Sequence, residues 1–168
     1  PDVAVYGAAL GGGFPIGVVA FRGEEAQLDL YDPLPTPHPV SLAAAEAVLS
    51  ILMNDSVYEH LEKRTALLEQ GRVALADRCR RPGAVIRVGS VGAVYFADAP
   101  VVDRQSQELA DRGRYRRMAN ALRHEGVLRP QKPGRGAFVS STHGAKDIDQ
   151  TLSCFEKVLL QLHQEDTP

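Results

Sequence analysis

Apolar positions along the 168-residue chain recur with two periods, and the period changes where glycine and proline cluster. The β-branched and aromatic run Val3-Ala4-Val5-Tyr6 reads as a buried strand, and residues 17–21 read as a strand returning after the glycines. From Pro39 the spacing becomes helical. Val40, Ala43, Ala44, Ala47, Val48, Ile51 and Leu52 recur at three and four, with Pro39 suited to a first turn. Asn54 or Asp55 then caps a longer helix whose seam runs through Tyr58, Leu61, Thr65, Leu68, Arg72, Leu75 and Cys79. Arg72 is the oddity on that seam.

Arg81-Pro82-Gly83 stops the long helix, and a second pattern begins. Residues 84–88 and 93–96 read as strands around the turn Gly89-Ser90-Val91-Gly92. A helix is expected over 103–124 with Leu109, Met118 and Leu122 inside, ended by Glu125-Gly126. Residues 127–129 then resume as a strand, 130–136 form a basic loop, and 137–140 make another strand. The last helix starts near Gly144. Asp147 is placed to reach back to its cap, and Ile148, Leu152, Phe155, Leu159 and Leu162 form its buried face.

Composition narrows the function classes. With 44% hydrophobic residues the chain can build a sizeable core, and a net charge of -2 gives no electrostatic case for nucleic acid or an anionic membrane. The basic run Arg112 to Arg117 is read as a solvated helix face. Cys79 and Cys154 are too few for a zinc site or a disulfide framework, so no metal is expected and both thiols are expected reduced. No apolar run approaches the roughly 20 residues of a membrane span. A soluble, cytoplasmic protein is the expectation.

The segment Gly7-Ala8-Ala9-Leu10-Gly11-Gly12-Gly13-Phe14-Pro15-Ile16-Gly17 is where the backbone must turn sharply. A dinucleotide-binding loop is excluded, because that fingerprint opens a helix and Pro15 follows too soon. The segment instead resembles the signature of class III aminotransferases, particularly the glutamate-1-semialdehyde aminomutase branch. In that family a Schiff-base lysine follows a glycine, then come two apolar residues, GGG, an apolar residue, Pro, an apolar residue and Gly. The lysine position falls on Ala8. A methyl group makes no covalent bond to pyridoxal phosphate (PLP) and shuttles no proton. The first lysine in the chain is Lys63.

The resemblance covers essentially the whole chain, as the C-terminal portion of proteins more than twice as long. It implies an α/β end of a fold-type I large domain over 1–53, a linking helix over 54–81, and an α+β small domain over 82–168. The N-terminal portion of such proteins supplies most of the large sheet and most contacts to PLP. The resemblance also places a phosphate-binding threonine four residues before the position of His38, which here is Leu34; Thr36 is the only hydroxyl in that proline-rich loop. Two cofactor contacts are therefore absent together, and no cofactor is expected.

Among candidates for chemistry, His38 sits where the family's loop faces the cofactor, as an acid or base or simply as a residue that fixes the loop. The second role is preferred. Arg129, Lys132 and Arg135 cluster near the family's substrate entrance and are suited to a carboxylate or phosphate, although exposed basic loops are more often only solvated. Gly11, Gly12 and Gly13 are read as structural, His143 as a helix-start residue. The Ser residues sit in no nucleophile elbow.

Three functions follow as expectations. The first is a split enzyme, in which a separate chain carries the N-terminal half, two such pairs form a dimer, and the old PLP cleft takes a small-molecule substrate for lysine-independent chemistry. The second is a pseudoenzyme that stabilises or regulates an active aminotransferase-like partner. The third is a fragment or lysine variant of an ordinary PLP-dependent enzyme. Leu34 favours natural divergence over an engineered Ala8, since a designer would leave the phosphate threonine in place.

Overall fold

The computed structural model describes residues 1–22, 38–79 and 83–165. These fall into two units, Pro1–Tyr58 and Glu59–Pro168.

In the first unit, β1 (Val3–Tyr6) and β2 (Val18–Phe21) pair antiparallel, with Val3 opposite Phe21 and Tyr6 opposite Val18. Alternation along this ribbon puts Val3, Val5, Val19 and Phe21 on one face and Ala4, Tyr6, Val18 and Ala20 on the other. Both faces are apolar. The first stands open, with those four side chains 51%, 75%, 38% and 37% exposed. Two strands of four residues have little stability by themselves, so their sequence suits a larger sheet.

Helix α1 (Pro39–Leu52) begins where Pro39 predicts. Its buried residues are Ser41 and Ala45, while Val40 and Ile51 of the expected stripe are exposed. The reason is close approach. A single 3-10 turn over Ala8–Gly11 packs against α1, and small side chains let it come near. The remaining apolar face of the helix, including Leu42, Leu49 and Met53, is left uncovered by the described residues.

The second unit is organised differently. Most of helix α2 (Asp55–Arg78) belongs to it, opened by Asn54, whose Oδ1 accepts the Ser56 N–H at 3.0 Å. Thr65, Leu68, Arg72 and Leu75 are buried along the expected seam, and Cys79 with them, whereas Tyr58 is exposed. Strands β3 (Ala84–Val88), β4 (Val91–Tyr95) and β5 (Ala137–Phe138) form an antiparallel sheet in that order. β4 starts two residues earlier than the sequence suggests, because Val88 pairs directly with Val91 across Gly89-Ser90, with Gly89 at φ 53°.

The helix expected over 103–124 is two helices, α3 (Arg104–Glu108) and α4 (Arg112–His124). Asp111 breaks it: its N–H donates to Phe96 O at 2.8 Å, and its side chain caps α4 by accepting the Arg114 N–H. Leu109, expected inside, is exposed at the end of α3. Nor do residues 127–129 form a strand. The chain leaves α4 through a Schellman motif, in which Gly126 N–H bonds Arg123 O and Val127 N–H bonds Leu122 O, with Gly126 at φ 86°. Helix α5 (Ala145–Glu165) is capped as predicted, Asp147 Oδ2 accepting the Gly144 N–H at 2.7 Å.

Tyr115, Met118 and Leu122 from α4 and Phe155, Val158 and Leu162 from α5 close the core, joined by Leu75 and Cys79 from α2's side and Phe96 after β4. Both cysteines are free thiols. No single helix among the described residues is long and apolar enough to cross a membrane.

Candidate functional site

The glycine segment places the expected site on a tight turn at the end of β1. Gly7 is extended, Leu10 N–H bonds Gly7 O at 3.0 Å, and the 3-10 turn starts at Ala8. The next step needs glycine for two separate reasons. A Cβ on Gly11 would stand 2.9 Å from Ile16 Cγ2, and Gly12 has φ 59° with Val48 Cγ2 only 3.1 Å from where its Cβ would be. Gly13 is also left-handed, at φ 107°. The glycines thus have a structural reason to be present whether or not a ligand approaches.

His38 is the N-cap of α1. Its Nδ1 accepts the Val40 N–H at 3.2 Å, and its carbonyl accepts the Leu42 N–H. The ring holds the entry to the helix. Leu34 and Thr36 lie outside the described residues.

Ala8 brings no amine to the turn, and the first lysine of the sequence, Lys63, belongs to the second unit. Among the described residues of the first unit, the only arginine is Arg22. This donor set does not fit a covalently held PLP.

The three basic residues grouped by sequence part company in the second unit. Lys132 and Arg135 stay at the surface on a turn closed by Arg135 N–H to Lys132 O, and Lys132 joins Arg112 and Arg116 along a groove of about 440 Å³. Arg129 goes inside. It is 4% exposed and lies over the ring of Phe155 at 5.4 Å, beside Tyr115, whose hydroxyl donates to Pro130 O at 2.8 Å. Burial pushes its guanidinium down from the ordinary arginine value.

Arg72 meets the same ring from α2, 4.6 Å from its centre and 6% exposed. Burial first, then repulsion from Arg129, push its pKa down to about 9, which leaves it charged at neutral pH. Sequence marked Arg72 as misplaced on an apolar seam but gave no sign of Arg129 beside it.

His143 is tied into the start of α5: its Nδ1 accepts the Ser140 N–H at 2.8 Å, and its carbonyl lies 3.2 Å from His60 Nε2. Ser140 Oγ is 3.0 Å from the same Nδ1, a turn contact three residues apart and not a nucleophile pair. Among the described residues, no group of three or more His, Cys, Asp or Glu side chains is placed to hold a metal ion.

Comparison with known proteins agrees on the fold. No family model matches. The chain is 31% identical over 170 residues to a glutamate-1-semialdehyde 2,1-aminomutase of Thermomicrobium roseum, covering 96% of this chain and 39% of that protein. It is 33% identical over 164 residues to the protein of that name in an Anaeromyxobacter species, covering 93% and 38%.

Among solved structures, a glutamate-1-semialdehyde-aminomutase from Pseudomonas aeruginosa superposes with a TM-score of 0.79 at 21% identity, over 96% of this chain and 39% of that one. An omega-transaminase from Sphaerobacter thermophilus gives 0.77 at 21% identity, over 95% and 38%. The chain therefore spans about two fifths of the length of the relatives it matches, and its fold is that of a C-terminal part of the class III, fold-type I aminotransferases.

Proposed function

We propose that this chain works as the C-terminal portion of a class III aminotransferase-like assembly, completed by an N-terminal portion and carrying out chemistry that does not depend on a lysine amine. The observation that carries the reading is the open apolar face of the β1–β2 ribbon, Val3, Val5, Val19 and Phe21. Burying apolar surface of this kind is worth about 25 cal/mol per Å², and strands beside it would also satisfy the ribbon's outer backbone groups. The relatives' extra length supports the same reading, since this chain matches about two fifths of them.

The chemical half of the proposal rests on Ala8. With a methyl group at the end of β1, this chain supplies neither a covalent anchor for PLP nor a mobile proton at that point. The cleft is then worked by acid and base groups of the N-terminal portion, with a small-molecule substrate. His38 positions α1 at its edge through the Val40 N–H.

A second reading has one observation in its favour. A lysine-to-alanine variant of the Pseudomonas aeruginosa aminomutase, solved in complex with PMP, also superposes on this chain, at a TM-score of 0.79 and 22% identity. On that reading the assembly holds a pyridoxal-type cofactor without a covalent link.

Native mass spectrometry and absorbance of the protein purified from its own source separate these readings. The proposal expects the chain in a particle that also contains the N-terminal portion, with no cofactor released on denaturation. Free PMP or PLP in the denatured supernatant supports the second reading. Ala8→Lys sharpens the result: a new absorbance band on adding PLP means that the rest of a PLP site is intact, whereas no band means that the site has diverged beyond the lysine. PLP covalently attached to the unaltered chain contradicts both readings.

A further inference from the structure

Three arginines in the second unit are removed from bulk water to different degrees, and their partners differ. Arg87 on β3 is matched by two acids, Glu69 at 2.7 Å and Glu62 at 2.8 Å. Arg72 and Arg129 have no acidic partner among the described residues, although both are more than nine-tenths buried. Nε, Nη1 and Nη2 of Arg129 and Nε of Arg72 are buried without a hydrogen bond. Stacking on Phe155 offsets part of this. Removing a cation from water is unfavourable, and the second guanidinium adds repulsion.

Both arginines line one cavity of about 360 Å³, within the usual size range of small-molecule sites. His143 lines the same cavity. Its Nδ1 accepts the Ser140 N–H, so in the neutral ring Nε2 carries the proton and is a donor. Asp147 is the one acid in the wall, and its Oδ2 is engaged by the Gly144 N–H.

We propose that this cavity is an oxyanion-binding site, in which the guanidinium groups of Arg72 and Arg129 take up a carboxylate or phosphate group of a small molecule. Planar guanidinium forks match either group, and a bound anion places negative charge beside two guanidinium groups that no acidic side chain among the described residues meets. The site lies wholly within the second unit and does not depend on Ala8 or on the proposed N-terminal portion.

Thermal unfolding of the protein as purified tests this, with inorganic phosphate, succinate and chloride titrated at constant ionic strength. Phosphate or succinate is expected to raise Tm with the logarithmic dependence on concentration that one site gives, by roughly 5–10 °C at a hundredfold excess over Kd, while chloride does not. The anion whose rise begins at the lower concentration names the group. Arg129→Met and Arg72→Met should each remove the response. Each should also unfold no earlier than the parent protein in anion-free buffer, since each deletes an unpaired buried charge.

The absence of a rise, or a rise shared by chloride, overturns the proposal, as does a response that survives in both variants. So does an acidic side chain of another polypeptide found against these guanidinium groups. If neither variant folds, the arginine Nε–H signals of the unaltered protein decide: two must shift saturably with phosphate or succinate, and their failure to move is equally fatal.

Discussion

The two units of the chain solve the same physical problem to different degrees. In the second, α4 and α5 enclose Tyr115, Met118, Leu122 and Phe155, each no more than 1% exposed. In the first, the buried residues of α1 are a serine and an alanine, while valines, leucines, an isoleucine and a methionine face outward. Apolar sequence in both, a closed core in one: the difference teaches that apolar composition alone does not close a core, and that the first unit's apolar face is left uncovered by the described residues.

Substitutions should widen or close that contrast. Phe155→Ala should destabilise the chain by about 3–5 kcal/mol in urea titrations, because it empties the core of the second unit and removes the ring beneath two arginines. Val5→Asp, on the open ribbon face, should change the stability of the chain by itself by no more than about 0.5 kcal/mol, yet block assembly with an N-terminal portion in a co-purification assay.

Gly12→Ala has an intermediate expected effect, about 1–2 kcal/mol read in the assembled protein, from the left-handed backbone and the nearby Val48.

The smallest effect concerns pH. Asp103 accepts the Ser106 N–H and hydroxyl, which holds its carboxyl below the ordinary carboxylate range. A depressed folded pKa gives stabilisation that is complete above the unfolded carboxylate's pKa of about 3.9 and is lost as pH falls through the folded value. Asp103→Asn should flatten the acid limb of a Tm–pH curve and leave the neutral plateau nearly unchanged.

Much of this organisation was legible from local signals. Pro39 marked the start of α1, Asp147 the start of α5, and the glycine segment the sharp turn, because each acts within a few residues. The break at Asp111 was not legible, since it depends on a bond to Phe96 O fifteen residues away. Arg129 looked like part of a basic loop until packing placed it against Phe155, which belongs to a helix that begins later in the chain. Charge patterns report composition; they do not report which long side chain folds inward.

Hydrogen exchange of the chain purified alone tests the central claim most directly, because it reads both units in one sample. The account predicts that amides of β1 and β2 exchange with little protection while those of α4 and α5 exchange only with global unfolding. A stable monomer whose β1–β2 amides are protected as strongly as those of α4 and α5 would contradict it.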